Sequence, residues 1–476
     1  MGQLPEIALF KLVELLSLGL FSVLAPRYLG AELFGRFAVI LSLTALWMTT
    51  SNFGAKYVFG RFVPEYAASG AGERVRALFA HMVGSRFVLA ALAVPLLVLF
   101  LRRALPEAST ATLLMSGAAF VAMTLGAPMF AIFYGLNRLG TSMGREAFGR
   151  PALLVLLFAF GAASGLERAS AALFVTHATA LAIGVYLCRG LFALERTAFD
   201  AHLLFHHLRF GLAVFAANLL LRAPWRLGES ALALADVARS EIAFFNIALS
   251  AAVAFTHLLG GATTLQIPSL GVKQAAGDHD GRDRSLGLAL KHLNILGVLF
   301  VLGTFACGPW AVRTLWGPEF LGVIPNLLLV APAVLTQPYV RTALSLAVVE
   351  SRLRRNLVLG AVAVGVFAAA ALLLVPRFAS LGATAALLAS SFATALVAVR
   401  QLRRSGVLAA ARSARHLAAA AAPAGVLALT GGAPWGALVA APLYLALLAA
   451  LGVVTRQELR ALADAASSLR PRAPRR

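Results

Sequence analysis

Charge is the first thing this sequence has little of. Only 13% of its 476 residues are Asp, Glu, Lys or Arg, about half the share of a soluble domain. A chain that is 60% hydrophobic faces something apolar over most of its length, which excludes a water-soluble enzyme or binding module. Acidic residues are scarcest, 20 against 41 basic ones. There is no paired-carboxylate site, no nucleophile beside a base and no GxxxxGK[ST] phosphate loop, so neither catalysis nor a self-contained ATP drive is expected. Cysteine is limited to Cys188 and Cys307. They stand far apart in apolar surroundings and read as small buried residues. No CxxC and no His/Cys cluster occurs, so neither metal nor cofactor is expected. Asp278, Asp280 and Asp283, in the polar stretch 271–286, lack the downstream Glu of a calcium loop and read as a solvated connection. Alternating strands of about ten residues are missing too, which excludes a transmembrane barrel.

What is present is a succession of apolar runs of about 20 residues, the length that crosses a bilayer as a helix. Fourteen can be counted, from 6–26 at the start to the short, Ala-rich pair 416–432 and 436–454. The first contains Lys11 and Glu14 and lacks a small-residue cleavage site, so it reads as a span and not a removable signal. Basic residues fall in alternate connections. With the N-terminus inside, about 27 Lys and Arg lie in inside segments and about 8 outside. That asymmetry places both termini in the cytoplasm. It also accounts for the formal charge of +21 without nucleic acid, for which no basic soluble domain exists.

The stretch 29–66, LGAELFGRFAVILSLTALWMTTSNFGAKYVFGRFVPEY, organises the chain. It reads as an interfacial turn, a span and a basic surface-lying segment. Part of it recurs about 210 residues later. FGRFAVILSL (34–43) parallels IAFFNIALSA (242–251), so that Phe37 matches Phe245 and Ser42 matches Ser250. Pro64 and Pro268, and Pro128 and Pro338, follow in the same order. Two halves of six spans each are implied. An even number of spans per half makes the repeat parallel. The expected organisation is an N-terminal lobe at 1–188, a linker at 189–207 and a C-terminal lobe at 208–404. Spans thirteen and fourteen follow within 405–455, then a basic tail at 456–476. Apolar residues such as Phe192, Phe199 and Phe205 interleave with charges in the linker, as in a segment lying on a membrane surface.

With the stretch 29–66, the segments IFYGLNRLG (132–140) and FASLGATAALLASSFATAL (378–396) resemble the bacterial polysaccharide flippases. These are the O-antigen and exopolysaccharide transporters of the multidrug/oligosaccharidyl-lipid/polysaccharide exporter superfamily. The resemblance runs from Leu29 to about Arg404. It implies an all-α polytopic membrane protein with about 14 transmembrane helices. Two parallel-repeat six-helix lobes would surround a central cavity, with two further C-terminal helices. The implied cargo is a polyprenyl-pyrophosphate-linked oligosaccharide, moved across the bacterial inner membrane for surface polysaccharide such as lipopolysaccharide O-antigen. Polysaccharide polymerase and glycosyltransferases are implied partners. In span seven, related chains often carry an Asp after a basic residue. This chain reads LLLRAPWRLGESAL (219–232) there, with Trp225 near that place, so the resemblance assigns no coupling ion.

A charge at bilayer depth costs about 3 kcal/mol on insertion scales and needs a partner or water. Lys11 and Glu14 stand three apart on one helical face and can pair. Arg222, Arg226 and Glu229 follow an i, i+4, i+7 face in span seven, with Pro224 between them to break the helix. Arg341 lies in span ten. Asn218 offers hydrogen bonds to sugar. These seven are the candidate substrate-binding residues, and none is catalytic. Arg suits pyrophosphate oxygens through its two-pronged donor geometry. The same positions also satisfy structural pairing or snorkelling to the interface. Arg86 and Arg150, near cytoplasmic ends, fit snorkelling better. A cation-coupled drug exporter of the same superfamily and a non-transport envelope enzyme or scaffold are the rival readings. The first would favour an acidic cavity and the second a substantial extramembrane loop.

Overall fold

In the computed structural model the described residues are 4–51, 54–192, 201–264, 270, 273, 276–350, 352–403, 405–411, 413–429 and 434–453. Among them every regular element is helical. Seven helical segments are individually long and apolar enough to cross a bilayer. Two of these hold two crossings each. α1 (Leu4–Ser51) is broken at Gly30, whose φ of 76° only glycine adopts freely. The long helix α13 (Leu353–Leu402) is broken at Ala379. The other single-crossing segments are α3 (Gly72–Ala104), α4 (Thr110–Gly135), α6 (Leu166–Leu187), α10 (His279–Leu315) and the pair α11 (Val323–Val330) and α12 (Gln337–Val349). Five more crossings come from α5 (Leu139–Ala159), α7 with α8 (Ala201–Arg222, Pro224–Leu234), α9 (Arg239–Thr264), α15 (Ser413–Leu429) and α16 (Pro434–Ala450). That makes the fourteen expected. The short helices α2 (Ala55–Ala68) and α14 (Val407–Ala411) are the remaining two.

The alternation of crossings can be checked from contacts between segments far apart in sequence. At one end, Arg36 and Arg239 both pair with Glu107, at 3.7 and 3.5 Å. At that same end Ser109 donates to Glu167, Arg27 reaches the Leu315 carbonyl and Glu241 accepts from Ser380. At the opposite, more basic end, Lys56 lies over Tyr134, Phe79 meets Phe192, and Glu350 holds Arg282, Arg352 and Arg355. Each contact joins connections that the fourteen-crossing order puts on one side.

The two lobes meet through the segments that repeat. α1 packs along α9, and also on α8. Phe34, Phe37, Ile40 and Leu43 share one buried cluster with Ile242, Phe245 and Leu249. The matched pair Phe37 and Phe245 is thus one interlobe core, 0% and 1% exposed. Lipid is as apolar as these side chains, so burial alone stabilises little and close packing decides. Small residues permit it. Gly35 sits so near Arg239 that an added Cβ would lie 1.8 Å from its carbonyl oxygen. Gly228 likewise gives way to the Phe245 ring. The C-terminal helices α15 and α16 pack on each other and on α10, around Tyr444, Leu302 and Ala419.

Three local expectations change. The linker reading at 189–207 covers residues 193–200, which lie outside the described residues. From Ala201 onward the chain is already the helix of span seven, and a polar residue such as His207, buried against Tyr66, does not interrupt it. The aspartates of 271–286 begin α10. Asp278 caps it by accepting from the Gly281 amide at 2.8 Å, Asp280 lies in its first turn, and Asp283 pairs with Arg282 at 2.7 Å. Arg86 does not snorkel. It is 0% exposed and donates to the Met82 carbonyl and the Ser85 hydroxyl, at 3.3 and 2.8 Å. It falls on the buried stripe Leu78, Met82, Arg86, Ala90, Ala93, Leu97 and Leu101 of α3.

Candidate functional site

The site is built on the break in span seven. Pro224 has no amide hydrogen and begins α8 as its first residue, so α7 stops at Arg222. The Ala223 carbonyl then takes the Arg226 and Leu227 amides, at 2.9 and 2.8 Å. The two arginines flank this joint, and both are exposed. Arg341 approaches from α12, half-buried. Its Nη2 donates to the Thr256 carbonyl of α9 at 2.9 Å, and its buried Nε has no hydrogen-bond partner among the described residues. Arg222 lies close enough to Arg341 to act on it electrostatically. Three helices therefore bring cations from spans seven and ten to one region.

Glu229 stays within electrostatic reach of Arg226. It is 1% exposed and points into the interlobe contact, where the Asn246 amide of α9 donates to it. Ser42 of α1 sits beside the carboxylate and donates to the Arg226 carbonyl at 3.0 Å. The helix break turns α8, so the residue seven positions on faces the other lobe. Glu229, Asn246 and Ser42 form a polar knot inside the apolar interface. One carboxylate oxygen, Oε2, has no hydrogen-bond partner among the described residues.

On the first lobe, Glu14 is buried on α1, 5% exposed. The side chains of Lys11 and Asn218 lie outside the described residues, and with them the Lys11–Glu14 pair. Two residues that sequence reasoning passed over lie inside this lobe. Arg145 donates to the Met123 carbonyl of α4 at 3.0 Å and acts electrostatically on His177 of α6. By hydropathy the fifth apolar run, 146–165, starts just after Arg145 and leaves it in a connection. The helix starts at Leu139, so Arg145 is nearly two turns inside. The missed signal is the capless polar start GTSMGRE, which is helical despite its low hydropathy.

No protein-family model and no curated relative matches this chain. Its fold does match solved structures. The structure titled "Lipid II flippase MurJ, inward closed conformation" superimposes with a TM-score of 0.70 at 12% identity, covering 95% of this chain and 98% of that one. An inward-facing multidrug resistance MATE family transporter of the MOP superfamily gives 0.64 at 13% identity, covering 84% and 96%. An outward-facing MATE structure gives 0.59 at 14% identity, covering 86% and 96%. The chain is a multi-pass membrane protein with the fold shared by the lipid II flippase and the MATE transporters of the MOP superfamily.

Proposed function

We propose that the protein is a flippase. It moves a polyprenyl-pyrophosphate-linked oligosaccharide from the inner to the outer leaflet of the bacterial cytoplasmic membrane by alternating access, for surface polysaccharide synthesis. The observation that carries this reading is the convergence of Arg222, Arg226 and Arg341 at the broken helix. Cations at bilayer depth are costly. A site that concentrates three of them fits an anionic cargo, and pyrophosphate is met by arginine's paired donors. The basic end carrying Lys56, Arg282 and Arg352 is then cytoplasmic, with both termini there. Polymerase and glycosyltransferases of the same polymer are the expected partners, and genes for them should lie nearby.

The test is Arg222→Ala with Arg226→Ala. Transport should fall at least tenfold while the protein remains folded and inserted. Normal transport in the double variant would remove the charge argument. One observation favours a second reading, the cation-coupled drug exporter. Glu229 is a buried carboxylate with an oxygen left over, the kind of group a cation could use. Glu229→Gln would abolish transport under that reading. Under the flippase reading it alters only the interface.

A further inference from the structure

The two ends of the lobe interface are unlike. At the less basic end it is thick: the α1–α9 core, the Gly35–Arg239 approach and the Arg36–Glu107–Arg239 bridge. Among the described residues at the basic end, first-lobe helix α2 meets α7 through the following side chains. The Tyr66 hydroxyl and His207 Nε2 are 2.8 Å apart. Phe62 presents its ring to the same imidazole at 4.5 Å, nearly edge-on, and Leu208 packs on the surrounding cluster. His207 is 0% exposed. His207 sits ahead of the joint: α7 begins at Ala201, carries His207 and ends at Arg222. Farther along, α7 packs on α13 of the second lobe. One helix therefore touches the first lobe at its start and delivers Arg222 at its end.

We propose that Tyr66 and His207 form the latch that closes the cytoplasmic mouth of the cavity. Parting them frees α7 from the first lobe and opens a path from the cytoplasm to the arginine joint. The thick opposite end stays shut meanwhile, so entry is from the cytoplasmic side. Burial, and after it Glu65, hold the Tyr66 hydroxyl above its ordinary range, while Arg74 pulls the other way. Tyr66 thus stays protonated and able to donate at neutral pH. The latch rests on the alternating-access reading above, but the labelling arm of its test does not depend on the cargo.

The test uses the full-length protein with Cys188→Ala and Cys307→Ala, in inside-out vesicles. Arg222→Cys serves as the reporter, labelled by a membrane-impermeant maleimide. Tyr66→Phe keeps the ring and removes the hydroxyl, and should raise the labelling rate about fivefold, the effect of one hydrogen bond near 1 kcal/mol. His207→Phe should raise it similarly. In a second variant without the reporter, Tyr66→Cys with His207→Cys should be bridged by a bifunctional methanethiosulfonate of about 10 Å reach, since the tip-to-tip contact is too long for a direct disulfide; the bridge should stop transport and be released by reductant. An unchanged labelling rate in both single variants, or a cross-linked protein that still transports, would overturn the latch. Should a single variant fail to insert, the cross-link alone decides. A protein that latches but carries no lipid-linked sugar would sink the cargo reading and leave the latch standing.

Discussion

Gly35 is where one missing methyl group matters most. The Arg239 carbonyl occupies the place a side chain would need. Gly35→Ala should therefore spread the lobes or strain the backbone, at about 1–3 kcal/mol for an overpacked contact. A lower melting temperature in detergent, with lost transport, is the expected outcome; an unchanged melting temperature would contradict the packing. Ala379 makes the opposite case. Its φ is 47°, left-handed, where a residue with a Cβ loses about 1–2 kcal/mol. Ala379→Gly should recover about 1 kcal/mol, read as a higher melting temperature with transport intact. Run length expects both breaks, the second between apolar runs ending at 375 and starting at 380, but not that Ala379 is the residue that makes it. Gly30, in the turn LGAELFG, is a residue that permits positive φ. Ala379 is an ordinary helix former, held in its turn by what packs around FASLG. There Gly382 lets the returning helix come close to the Leu374 carbonyl. The role of Gly35 was not legible either, because it depends on a partner some 200 residues away.

Elements explain the polar residues that sequence reading misplaced. The run of span five begins after Arg145 by hydropathy, but the helix extends seven residues earlier. A hydrogen-bonded helix in a membrane continues wherever its polar residues find partners, so the apolar run understates it. Arg86 could have been found, since its four-residue spacing with Met82 and Ala90 marks the buried stripe. Glu229 could not, because the break at Pro224 changes the direction of α8. The connection before α4 supplies a prediction at this scale. Glu107 is the anion shared by Arg36 and Arg239, one from each lobe. Glu107→Gln would leave the two cations facing each other. Partly exposed pairs are worth about 0.2–1 kcal/mol, so labelling of Ser240→Cys by an impermeant maleimide should rise, by up to about fivefold. Ser240 lines a cleft of about 420 Å³ at the less basic end with Gly30, Glu32, Arg36 and Glu319, and unchanged labelling would mean Glu107 does not hold the lobes.

For the whole molecule, composition and run length carried most of the way. The helical class and the crossings needed only apolar length, because lipid leaves the backbone no other solution. The repeat, faint in an Ala- and Leu-rich chain, becomes physical once Phe37 and Phe245 are seen in one core. Hydropathy could not show that the matching segments touch, since nothing in it records which helix faces which. Nor could it separate Arg222 and Arg226, exposed at the joint, from the buried Glu229. The central claim is the cargo. A strain lacking this protein should be extracted and its lipids examined by mass spectrometry, with leaflet access tested by an impermeant reagent. The account predicts that a polyprenyl-pyrophosphate oligosaccharide accumulates and is reached only from the cytoplasmic face. An unchanged lipid profile with intact surface polymer would contradict it and turn attention to the drug exporter.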